Sequence, residues 1–179
     1  MARGASLGQA RRMSRLRRGA LPALFALVLG CGSEADEPDA EPGPSVSCTQ
    51  DPRLDAYAGS LDKAGELGTL LFRFSDFNPT LPSRGNNTFH VQLLDAEGAP
   101  VGGAASPGAV TLGVDLLMPD HGHGTSVEPV VSFDAGTGRY TLTPLYLFMP
   151  GVWRVQLEAE PSGGGATLDR VALHLCIEG

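Results

Sequence analysis

The sequence predicts an all-β protein whose folded part is an immunoglobulin-like antiparallel β-sandwich of about seven strands. Three observations carry this. Apolar and polar residues alternate with a period of two in short runs. Glycine (24 residues) and proline (14 residues) fall between the runs like punctuation. No long stretch has convincing helical periodicity.

The chain opens with a leader, residues 1–30. Arg3, Arg11, Arg12, Arg15, Arg17 and Arg18 form a basic start without acidic residues, and Ala20 to Leu29 is almost wholly apolar. Ten apolar residues suit the core of an export signal, whereas a spanning helix needs about 20. The leader ends Leu27-Val28-Leu29-Gly30-Cys31, which resembles the bacterial lipobox. The resemblance implies that Cys31 is lipid-modified and becomes the first mature residue, the alternative being an ordinary secretory signal. Loss of the six leader arginines lowers Lys plus Arg from 13 to 7 against 20 Asp plus Glu, so the mature chain carries a formal charge of −13. Such a surface repels phosphate backbones and excludes nucleic acid as a partner. The expected partner is a membrane, reached through the lipid.

Residues 31–47 follow as an acidic, proline-rich stretch almost free of large apolar groups. It cannot bury enough surface to offset its ordering entropy and is expected to be a disordered tether. Gly32, where an aspartate would favour the inner membrane, leans the location toward the outer membrane. The expected location is the cell envelope, lipid-anchored, periplasm-facing or at the outer membrane.

The remaining residues, 48–179, make one domain. Cys48 and Cys176 bracket it, and in an oxidising compartment such a pair is most simply one disulfide, worth roughly 4–5 kcal/mol in the chain-entropy model. Two thiolate metal ligands are the alternative. A helical turn, if the domain has one, belongs in Leu54 to Gly68, where Gly59 and Gly65 preclude a long helix. Strands are then expected around Leu70–Phe74, Asn87–Leu94, Val110–Leu116, Val127–Phe133, Tyr140–Leu142, Gly151–Glu160 and Asp169–Cys176. Gly136-Thr-Gly-Arg-Tyr140 has the layout of a tyrosine corner, and Trp153, the lone tryptophan, falls on an inward position. His90 and His174 fall on outward positions and read as surface residues.

One stretch concentrates chemistry: Met118-Pro-Asp-His-Gly-His-Gly124, echoed by Met149-Pro-Gly151. In extended chain His121 and His123 point the same way, and imidazole with thioether suits copper(I). Met118, His121, His123 and Met149 are therefore the candidate metal ligands, with Asp120 as an oxygen donor for copper(II). A structural reading fits the same residues: the prolines end strands, the methionines fill the core and the histidines shape a loop. The folded region holds no Gly-x-Ser-x-Gly elbow, no His-Glu-x-x-His and no phosphate-cradling loop before a helix, so catalysis is not expected.

Leu117 to Thr125, then Pro129-Val-Val, Gly138-Arg-Tyr140 and Leu147-Phe-Met-Pro-Gly-Val-Trp153, resemble the YtkA-like/FixH-like family. Asn86 to Leu93 and Asp95 to Gly98 match it upstream, and the resemblance runs from about Leu67 to Cys176. It implies a small extracytoplasmic β-sandwich. FixH-like relatives are held in the membrane by a helix and assist assembly of a copper-containing respiratory oxidase; here a lipobox replaces that helix. The function expected is an envelope-anchored lipoprotein that binds copper or assists metalloprotein assembly. The alternative is a non-metal module that binds an envelope protein partner.

Overall fold

The computed structural model describes residues 47–103 and 108–179. The expected leader 1–30, the lipid site at Cys31 and the tether 31–47 lie outside these residues, save for Ser47. Among the described residues there is no helix, and none is long and apolar enough to cross a membrane.

Ten strands form: β1 Ser60–Ala64, β2 Leu71–Asn78, β3 Gly85–Leu94, β4 Pro100–Val101, β5 Val110–Met118, β6 His123–Gly124, β7 Val130–Asp134, β8 Arg139–Leu147, β9 Gly151–Pro161 and β10 Asp169–Ile177. They pair into two antiparallel sheets. One runs β1-β2-β3-β8-β7, with β4 added to β3; the other runs β10-β9-β5-β6. The seven expected runs correspond to β2, β3, β5, β7, β8, β9 and β10. The three strands beyond the expected seven are two short pairings, β4 and β6, and β1. β1 takes the place of the expected helical turn because Leu61 and Lys63 alternate with exposed neighbours and pair along β2.

The inward residues of both sheets form one core. Phe72, Phe74, Phe89, Val91, Leu142 and Leu145 come from the larger sheet. Leu112, Leu116, Trp153, Val155, Leu157 and Leu173 come from the smaller. Trp153 is fully buried, as its inward position predicts, and its Nε1 donates to the Met149 carbonyl at 2.9 Å.

Tyr140 does not make a tyrosine corner. Its hydroxyl reaches across the sandwich, donating to the Val110 carbonyl (2.7 Å) and accepting from the Gly103 N–H (3.0 Å). The polar tip of a buried ring thus latches β8 to the start of β5. Cys48 and Cys176 form the expected disulfide, with Cα atoms 5.5 Å apart, which ties the segment before β1 to β10.

His90 and His174 are not free surface groups. Thr141 Oγ1 lies 3.0 Å from His90 Nδ1. His174 is half-buried beside Asp55, and burial pulls its pKa down.

Candidate functional site

The histidine stretch is the β5–β6 hairpin. Met118 and His123 are cross-strand partners, and Pro119 to Gly122 form the loop between them. The N–H groups of His121 and Gly122 both donate to the Met118 carbonyl, at 3.2 and 2.9 Å. Gly122 closes the turn at φ 68°, a conformation that glycine adopts without a steric cost.

Directly opposite residues of an antiparallel pair project to the same face. Met118 and His123 therefore share the inward face, but at different depths. Met118 is 1% exposed, in the core, while His123 is half-buried at the rim. Phe148 explains the position of the His123 ring. The two rings stack with centroids 5.8 Å apart, and Phe148 is braced by Trp153 edge-on (5.6 Å) and by Tyr146 (6.2 Å). The His121 ring lies 5.6 Å from that of His123, tilted by 52°, and is exposed. The contact to His123 Nδ1 is the Gly124 carbonyl at 3.4 Å, which is long and leaves Nε2 open.

Met149 sits in the crossover from β8 to β9 and not at a strand end, since β8 stops at Leu147. Met149 and His121 line one cavity of about 490 Å³, together with Cys48, Asp51, Asp120 and Gly151. The two Met-Pro motifs meet, but not through both sulfurs at the rim. The Met118 methyl packs on the backbone of Gly151, where a side-chain Cβ would stand 2.9 Å from it. Gly151, at φ 127°, is thus needed both for its own backbone and for the burial of Met118.

Asp120 is engaged elsewhere. Arg53 donates to both of its oxygens, at 2.8 and 2.7 Å, and also grips Asp51 through Nε (2.9 Å) and Nη2 (2.6 Å). The guanidinium lowers the pKa of both carboxyls, that of Asp51 to about 2, and its own is raised. This fork ties the histidine loop to the disulfide-anchored segment, across 67 positions of sequence. Asp120 is accordingly a poor oxygen donor to a metal, contrary to the expectation. Among the described residues no three His, Cys, Asp or Glu side chains cluster as a metal shell. Of the four expected ligands, His121 neighbours His123 ring to ring and shares a cavity with Met149, and Met118 lies in the core. Sequence reasoning missed Phe148 and Arg53. Phe148 was visible only as part of the Leu-Phe-Met-Pro run, and no local pattern marks Arg53.

The YtkA-like family model matches residues 74–158. Those residues form a YtkA-like domain. The match runs from Phe74 in β2 to Glu158 in β9, a shorter span than the resemblance read from the sequence, and it includes Met118, His121, His123 and Met149. No curated protein and no solved structure matches the chain. Within the YtkA-like domain the histidine hairpin and the Met149 crossover are the two loops that meet at one end of the sandwich. β1, β10 and both disulfide cysteines lie outside the matched span.

Proposed function

We propose that the YtkA-like domain binds copper at the rim formed by His121, His123 and Met149, and that a lipid on Cys31 presents it at the cell-envelope membrane, where it assists a metalloprotein. The observation that carries this reading is the 5.6 Å separation of the His121 and His123 rings, with Met149 lining the same cavity as His121. A nitrogen ligand about 2.0 Å from a metal puts its ring centroid about 3.2 Å away, so two rings on one ion lie within about 6.4 Å of each other. Two imidazoles and a thioether form a soft donor set suited to copper(I), and an open rim suits an ion that must be passed on. Met118 acts here as the packed floor of the site. The family resemblance to proteins that assist assembly of a copper-containing oxidase points the same way.

A second reading has its own observation. The packing of Met118 on Gly151 and the stack of His123 on Phe148 are what a purely structural hairpin needs, and such a hairpin fits an envelope interaction module without metal. Calorimetric titration of the full chain with copper(I) and copper(II) separates the two. The copper reading expects one copper(I) per chain and at least a 100-fold loss of affinity in His121→Ala/His123→Ala. Equal heats from both proteins would leave the structural reading.

A further inference from the structure

The two lateral edges of the small sheet differ in how their backbone groups are used, and one edge is open. Val110 donates its N–H to Gly103 at 3.1 Å, away from β9, and its carbonyl accepts from Tyr140. In an antiparallel strand every second residue repeats this orientation. Leu112, Val114 and Leu116 therefore also turn their N–H and C=O groups outward. At the far end the backbone of Gly124 closes over the Leu116 carbonyl, where an added Cβ would lie 2.4 Å from that oxygen. Among the described residues, Leu112 and Val114 between these ends have no partner for their outward groups.

Beside this edge lie two cavities in series. One of about 180 Å³ is lined by Leu112, Val131, Phe133 and Tyr140. The next, of about 300 Å³, is lined by Val114, Asp115, Glu128 and Pro129. Together they follow β5 from Val110 to Leu116, a length of about 20 Å in extended chain. The wall toward β7 is apolar through half-buried Val131 and Phe133. The solvent side is acidic. Asp115 and Glu128 line the groove, and Glu160 stands on β9 opposite Thr111. None of the three has a salt-bridge partner among the described residues, whereas Arg53, Lys63, Arg73, Arg139 and Arg170 are all paired with other acids.

We propose that the open edge of β5 receives an extended peptide segment of a partner protein, in which apolar residues alternate with lysine or arginine. The main chain of that segment would pair with Leu112 and Val114. Its apolar side chains would face Val131 and Phe133, and its basic ones Asp115, Glu128 and Glu160. A second copy of this chain is a poor occupant, because antiparallel pairing of two β5 edges would bring acidic rims together. The proposal goes beyond the copper reading and uses none of its ligands.

The test is to pan a phage-displayed library of nine-residue peptides on the full chain. Enriched sequences should carry Lys or Arg at alternate positions. A synthetic peptide of the enriched sequence should slow deuterium exchange at the Leu112 and Val114 amides at least tenfold. Val114→Pro removes an outward N–H without touching the β9 ladder and should abolish binding. Asp115→Lys/Glu128→Lys leaves the backbone intact and should weaken binding at least tenfold, which keeps the test decisive if the proline variant does not fold. Absence of enrichment, or binders that leave both amides unprotected, would overturn the proposal. So would a concentration-dependent dimer that protects the same amides without peptide, since the occupant would then be a second copy.

Discussion

The two flanks of the sandwich solve the same problem in opposite ways. On one flank the outward carbonyls of Arg170, Ala172 and His174 on β10 are each met, by the Glu66 N–H (2.8 Å), Lys63 Nζ (2.7 Å) and the Asp55 N–H (3.2 Å). Asp55 also accepts from the His174 N–H, and the disulfide fastens the segment in place. On the other flank β5 and β7 leave a groove and, among the described residues, two residues whose outward backbone groups are unpaired. An unpaired strand edge invites another strand, so closure protects and openness either endangers or serves. The sealing parts, Cys48, Asp55, Lys63, Asp169 and Cys176, all fall outside the matched span of the YtkA-like domain, while the groove and the histidine rim fall inside it. The segments that flank the matched span therefore brace its β10 side and, through Cys48, Asp51 and Arg53, one wall of the histidine rim, while among the described residues they leave the β5 edge uncovered.

The sharpest way to break the closed flank is Asp169→Ala. This fully buried carboxylate accepts from the N–H groups of Leu67, Thr69, Leu70 and Arg170, each at 2.8 Å, and so pins the turn between β1 and β2 to β10. Removing the acceptor strands four donors and should cost about 3–5 kcal/mol in urea unfolding. Burial alone would raise the Asp169 pKa, but the four donors outweigh it and hold it below the usual carboxylate value. Its contribution is thus present above a pH of about 4 and is lost as pH falls through the lower folded-state value. Asp169→Ala should flatten that part of the acid limb; an unchanged acid profile would remove Asp169 as its source.

Next in size is the disulfide. Cys48→Ser/Cys176→Ser reopens a loop spanning 128 positions and should cost about 2–4 kcal/mol. It should also speed deuterium exchange along β10 while leaving β5 little changed. Equal acceleration on both flanks would show that the closure is not local.

Smallest is Tyr140→Phe at the entrance to the open flank. It removes one hydroxyl that serves the Gly103 N–H and the Val110 carbonyl, with an expected loss of about 1–2 kcal/mol. Exchange should rise first at Gly103, whose N–H loses its acceptor. A variant as stable as the parent would mean that the latch is carried by the packing of the Phe133 ring against Gly103 and not by the hydroxyl.

Much of this was legible in the sequence. Alternation located seven strands, because a period of two survives any partner the strand later takes. The even cysteine pair indicated its own disulfide, and the ordered motifs indicated the family. Local pattern failed where the partner decides the structure. β1 has weak alternation and becomes a strand because β2 offers it a register. Tyr140 has the local surroundings of a corner residue, but its hydroxyl finds Val110 across the sandwich.

The candidate site divides along the same line. Sequence alone determined that two histidines follow one Met-Pro in a glycine-rich stretch and that a second Met-Pro echoes it further along the chain. Only the tertiary structure decided their depths. Met118 is drawn into the core because its strand position faces inward and Gly151 leaves room for its methyl group. His123 stays at the rim because Phe148 stacks beneath it. Asp120 is withdrawn from metal chemistry by Arg53, 67 positions away. Spacing along a chain states which side chains can share a face; which of them reach solvent, and which are already bonded, depends on residues that arrive from elsewhere.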